Sequence, residues 1–126
     1  MNPAGPATDP SAVLDAGALA RLAELDPQGS AGLVQRVLST YARALERSRQ
    51  ELLRMRQPLQ SEPLRHLAHT LKSSSASVGA LALSALCAQV EQQTRAQPAG
   101  DLDASLDALL VEMQRVAGAV QAMLRT

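Results

Sequence analysis

Along this chain apolar residues return every three or four positions, and nowhere do they alternate one by one. The first spacing is that of a helix burying one face, and the second would mark a half-buried strand. Val34, Val37, Leu38, Tyr41, Leu45, Leu52 and Met55 outline one long helix that Ser30 can cap and that runs to about Arg56. Pro58 interrupts the pattern. Ser61 reads as the N-cap of the next helix, since Pro63 is tolerated in a first turn. That segment runs to about Val78 and places Leu64, Leu67, Ala68, Leu71, Ser75 and Val78 on one narrow arc. A further helix spans about Ala80 to Arg95, with Leu83, Leu86, Cys87 and Val90 inward. In the last helix, capped by Asp101, Leu102, Leu106, Leu109, Met113, Val116, Val120 and Met123 step by fours and threes, the seam of a bundle or coiled coil.

A shorter helix comes first, with Asp15 as N-cap, Ala16 to Leu25 as its body, and Leu19, Leu22 and Ala23 on one side. Turn chemistry at Asp26-Pro27-Gln28-Gly29 and Gln97-Pro98-Ala99-Gly100, with Gly79 between, keeps the connections short. Short connections make successive helices antiparallel neighbours. The expected fold is all-α: an antiparallel four-helix bundle with a short additional N-terminal helix. Residues 1–13, with Pro3, Gly5, Pro6 and Pro10, read as a flexible leader or linker, and residues 14–126 as the bundle.

Composition agrees with one helical core. The chain has 126 residues, enough for a single domain. Ala and Leu fill 44 positions, Phe and Trp are absent, and Tyr41 is the one aromatic residue. Sheets favour the β-branched and aromatic residues that are scarce here. Zero net charge and no aromatic stacking platform argue against nucleic-acid binding. The single cysteine, Cys87, excludes an internal disulfide and thiolate metal centres, and its inward position suits a buried, inert thiol. No run of about 18 apolar residues appears, so no membrane span is expected. The first ten residues lack the positive and apolar regions of a signal peptide, and the expected location is the cytoplasm.

Charge is nevertheless uneven. Residues 1–29 carry a net −3, residues 30–72 a net +5 and residues 73–126 a net −2. The basic stretch is either a solvated helix face or a docking surface for an acidic partner.

The third main helix holds the candidate chemistry. With its apolar arc turned inward, a rotation of about 100° per residue points His69 about 150° away from the buried centre. An exposed neutral imidazole offers a ring-nitrogen lone pair, which is a competent nucleophile towards a phosphoryl donor on another protein. Lys72 lies three residues on, Ser73 four and Ala76 seven, while His66 and Arg65 lie three and four back. Lys72 and Arg65 would set positive charge beside phosphoryl oxygens. Ser73 and Ala76 are small enough for a partner's active site to close over the ring. Lys72 is also the only lysine among twelve basic residues. His66 and His69 share the spacing of a metal pair, but no carboxylate or cysteine is expected beside them to complete a site.

The run His69-Thr-Leu-Lys72-Ser-Ser-Ser-Ala-Ser-Val-Gly79-Ala80, followed by Leu83, Cys87 and Glu91, resembles the signature of histidine-containing phosphotransfer domains. In that family a lysine follows the histidine by three residues and a glycine follows it by ten. The resemblance implies that His69 is the phosphoacceptor, that Lys72 assists, that Arg65, His66, Ser73 and Ala76 face the partner, and that Gly79 is architectural. Ser73 stands where the family usually has glycine. The implied role is a phosphorelay intermediate. It would take a phosphoryl group from a receiver-domain phosphoaspartate and pass it to another receiver aspartate. The implied partners are receiver domains of response regulators or a hybrid sensor histidine kinase. Such a module is a monomeric phosphocarrier and not an enzyme in its own right. It binds no metal or cofactor, and the magnesium belongs to the receiver. Two other readings compete. One is the dimerisation and phosphoacceptor part of a histidine kinase, although Thr70 stands where that class has an acid. The other is a helical adaptor without chemistry.

Overall fold

The computed structural model describes residues 13–96 and 101–125. Five helices are defined among the described residues: α1 (Ala16–Glu24), α2 (Leu33–Met55), α3 (Ser61–Ser77), α4 (Leu81–Arg95) and α5 (Leu102–Leu124). Among the described residues no strand forms, and a lone bridge pairs Arg56 with Leu59 across the α2–α3 turn. The pairs α2–α3, α3–α4, α4–α5 and α5–α2 are all in contact, so the four long helices close a bundle, and α1 lies against α2. Residues 1–12 of the expected leader and the Gln97–Gly100 break lie outside the described residues.

One hydrophobic cluster runs through the bundle. α2 supplies Leu38, Leu45 and Leu52, and α3 supplies Leu64, Ala68 and Leu71. Leu83, Cys87 and Val90 enter from α4, and Leu106, Leu109, Met113, Val116 and Val120 from α5. Each fully buried leucine or valine contributes about 1.5–3 kcal/mol, and this is what holds helices of modest intrinsic stability together. Tyr41 is buried among them, and its hydroxyl shares a 2.7 Å hydrogen bond with Ser75 Oγ, itself wholly buried. Each polar group thereby satisfies the other in an apolar setting. Burial raises the phenol's pKa above its ordinary value.

The helix starts differ in detail from the sequence expectation. Asp15 caps α1, its carboxylate accepting from the Ala18 amide at 2.9 Å. Ser30 does not cap α2. The helix begins at Leu33 with Gly32 as N-cap, and the Asp26 carboxylate, seven residues back, accepts from the Leu33 amide at 3.2 Å. Gly29 and Gly32 both hold positive φ, 71° and 62°, and this doubles the chain back far enough for Asp26 to reach. Ser61 is the first residue of α3 and not its N-cap, which is Gln60. Asp101 occupies the N-cap position of α5 without a side-chain cap bond. On α1 the buried side chain is Ala18, while Leu19 and Leu22 are half-buried and Ala23 is exposed. Val13, assigned to the leader by the sequence, packs with Leu14 into the core.

Two anchors fix the ends of α3. At its C-terminus Gly79, at φ 86°, closes a left-handed cap: its amide donates to Ala76 O at 3.1 Å and the Ala80 amide to Ser75 O at 2.8 Å. At its N-terminal side Arg56 of the α2–α3 turn bonds to Asp103 and, at 3.0 Å, to Asp107, both in the opening turns of α5.

Candidate functional site

α3 buries Leu64, Leu67, Ala68, Leu71 and Ser75, so its opposite face turns outward. On that face His66, His69, Thr70, Ser73 and Ala76 are exposed. The His69 side chain is 61% exposed.

The imidazole is nonetheless not free. Across the α3–α4 seam, Glu91 is only 7% exposed, and its carboxylate gathers three donors. Oε1 accepts from Lys72 Nζ at 2.8 Å. Oε2 lies 2.9 Å from His69 Nδ1 and 3.2 Å from an Arg95 guanidinium nitrogen. Helical spacing explains the convergence. His69 and Lys72 are one turn apart on α3, and Glu91 and Arg95 one turn apart on α4. The bond from Lys72, and next the one from His69, hold the Glu91 carboxyl below its ordinary range, against the opposing effect of burial. Glu91 is therefore anionic at neutral pH.

That charge state fixes the ring. A carboxylate only accepts hydrogen bonds, so His69 Nδ1 carries the hydrogen it donates to Glu91. In the neutral imidazole the lone pair then belongs to Nε2, on the edge of the ring away from Glu91. The arrangement presents one oriented nucleophilic nitrogen to solvent, with the lysine ammonium and the Arg95 guanidinium close by.

The remaining candidate residues are distributed around this centre. Lys72 reaches Glu91, and its backbone carbonyl accepts from Ser84 Oγ at 2.9 Å. Arg65 lies one turn before His69 on α3. Its guanidinium approaches Glu62 at 3.5 Å and the Thr94 carbonyl at 3.5 Å. His66 lines an open cleft between α2 and α3, together with Arg47, Glu51, Leu67 and Thr70. Ser73 and Ala76 stand exposed one and two turns beyond His69. Gly79 is buried where α3 meets the start of α1. Cys87 lies in the core below the site, and burial pushes its thiol up to about 12, so it stays protonated at neutral pH.

Glu91 is the residue that sequence reasoning did not place in the site. Its signal was present: it follows Leu83, Cys87 and Val90 on the buried stripe of α4. An acid on an apolar stripe needs a cationic or donor partner, and α3 offers Lys72 and His69 across the seam.

Comparison with known proteins follows the same line. The family model described as Hpt domain matches residues 29–124. No curated protein matches the chain in sequence. Among solved structures, histidine-containing phosphotransfer protein B (HptB) from Pseudomonas aeruginosa PAO1 superposes with a TM-score of 0.79 at 23% identity, over 97% of each chain. A putative histidine-containing phosphotransfer protein from rice superposes with a TM-score of 0.76 at 24% identity, over 91% of this chain and 81% of its own. At these identities the two structures establish a shared fold.

Proposed function

The chain belongs to the Hpt domain family, and from that premise we propose that it is a phosphorelay intermediate whose carrier group is His69. Family membership makes it a phosphotransfer protein and a phosphocarrier module. The direction and partners of transfer are our reading. The observation that supports it is the His69–Glu91 bond, which leaves Nε2 as the free nitrogen on an exposed ring. In the proposed reaction Nε2 attacks the phosphorus of a receiver-domain phosphoaspartate in line with the departing carboxylate oxygen. Lys72 lies one turn away to pair with the phosphoryl oxygens. The magnesium-dependent part of the chemistry belongs to the receiver. The reverse reaction with a second receiver aspartate completes the relay.

The proposed partners are receiver domains of response regulators or of a hybrid sensor histidine kinase. They would dock on the exposed face of α3 around Ser73 and Ala76 and along the α2–α3 cleft at His66. We assign the module to the cytoplasm, where such receivers act, and expect it to work as a monomer without a metal of its own.

The test is transfer from receiver domains first loaded with labelled phosphate by a small-molecule phosphodonor. The expected result is an acid-labile, alkali-stable label on this chain that His69→Gln abolishes. Label retained by His69→Gln, or no transfer from any receiver, would overturn the proposal.

A further inference from the structure

The bond from His69 to Glu91 has a consequence after the phosphoryl group has arrived, and the inference rests on the phosphocarrier reading above. In the transfer step the Nε2 lone pair forms the N–P bond, and the P–O bond to the receiver's aspartate breaks with its electron pair going to the carboxylate oxygen. No proton leaves the ring. Nδ1 keeps its hydrogen, and the product is an N-phosphoimidazolium with one positive charge on the ring. In water such a ring can shed the Nδ1 proton and become a neutral phosphoimidazole. The two forms differ in reactivity. From the protonated ring the phosphoryl group departs leaving neutral imidazole, a good leaving group. From the neutral ring it would leave an imidazole anion, so the group stays. The acid lability of phosphohistidine has this origin.

We propose that Glu91 holds the proton on Nδ1 of His69 for as long as the phosphoryl group is carried, keeping the group transferable and limiting its lifetime. Two features of the site support this. First, Nδ1 and Glu91 Oε2 are 2.9 Å apart, and the Glu91 carboxylate is only 7% exposed. Loss of the proton would set a ring lone pair against a carboxylate oxygen at hydrogen-bond distance, with little water to intervene. Second, the local charges balance only if the proton stays. The groups bonded to Glu91 include Lys72 and Arg95, so before transfer the two cations and one carboxylate sum to one positive charge. A phosphoryl dianion and a protonated ring bring that sum to zero, whereas a deprotonated ring would leave a net negative charge. Other charged or titratable groups do not supply an alternative anion. Arg65 is held by Glu62 and the Thr94 carbonyl, and His66 faces the α2–α3 cleft with Arg47 and Glu51. Glu91 therefore acts as a positioning residue whose effect is on the proton of another group.

The experiment uses potassium phosphoramidate, which phosphorylates imidazole nitrogens without a protein partner, on the full chain and on Glu91→Gln. Two quantities are read at pH 8: the half-life of the phosphoprotein, and the 15N chemical shift of His69 Nδ1. In the wild type Nδ1 is expected to be protonated. In Glu91→Gln, whose amide can turn a donor towards the ring, Nδ1 is expected to be bare and the half-life about tenfold longer, the lower end of what a neighbouring charge does to a proton equilibrium. Equal half-lives with equal shifts would overturn the inference and leave the phosphocarrier reading intact. A bare Nδ1 in the phosphorylated wild type would overturn it as well, whatever the variant does. Label located away from His69 would sink both.

Discussion

The backbones of Gly79 and Asp15 are in direct contact: the Asp15 amide donates to the Gly79 carbonyl at 2.8 Å. A β-carbon at position 79 would lie 2.8 Å from both the nitrogen and the oxygen of Asp15. Gly79 also holds a φ of 86°, where an L side chain is strained. Gly79→Ala is therefore expected to lower stability by about 2–4 kcal/mol, strain and displaced backbone together. Gly29 is the control. It sits at φ 71° with nothing within 4 Å of a built β-carbon, so Gly29→Ala should cost only about 1–2 kcal/mol. Urea unfolding midpoints for the pair decide it, and equal losses would show that the contact with α1 yields freely.

Lys72→Ala should slow phosphoryl transfer while leaving the helical content unchanged. Its side chain is about one-third exposed, so the effect is expected near tenfold and not at the level of a donor buried in an oxyanion hole. Stopped-flow transfer from a phosphorylated receiver measures it. An unchanged rate would remove Lys72 from the reaction and leave it as a tether for Glu91.

Ser73 and Ala76 carry small, exposed side chains, so Ser73→Trp or Ala76→Trp leaves the core untouched. Each is expected to weaken receiver binding more than tenfold, about 1.4 kcal/mol, by filling the space over the imidazole. Titration calorimetry against a cognate receiver, with circular dichroism as the fold control, is the measurement. Normal binding by both variants would move the docking face elsewhere.

Acid should reveal the Glu91 cluster. The folded-state pKa of this carboxyl lies below its ordinary value, chiefly because Lys72 donates to it. A depressed acid contributes stability that is fully present above the unfolded-state value and is lost as pH falls through the folded one. The contribution is thus complete at neutral pH and fades below the ordinary carboxylate range, about pH 4.3. Stability measured against pH should fall less steeply on the acid limb in Glu91→Gln than in the wild type. Parallel limbs would show that the ion pairs contribute nothing net to folding.

The bundle was legible because the buried arcs are long and regular. Leu64, Leu67, Ala68, Leu71, Ser75 and Val78 were read as one arc and are all buried. The outward direction of His69 followed from the same rotation. What periodicity could not show was where one helix face meets another. An acid on a buried stripe marks Glu91 in the sequence, but its partners Lys72 and His69, 19 and 22 positions away, are identified only by the α3–α4 seam. The same limit applied to the contact of Arg65 with the Thr94 carbonyl, 29 positions away on α4. The start of α2 was misjudged because two left-handed glycines let Asp26 reach seven residues forward, a geometry that no local cap pattern encodes. On α1, one turn of Leu and Ala gave too short a pattern to choose a face. Ala18 is the buried residue because its methyl fits under Gly79, 3.2 Å from where a β-carbon there would be.

Val13 and Leu14 sit in the core, immediately ahead of the amide that bonds to Gly79. Anyone excising this module, to graft it into another signalling protein or to splice it behind a different sensor, must cut upstream of Val13. A boundary drawn at the first turn of α1 would strip two hydrophobic plugs and a backbone staple from the end of the histidine helix, and the graft would inherit a loosened α3.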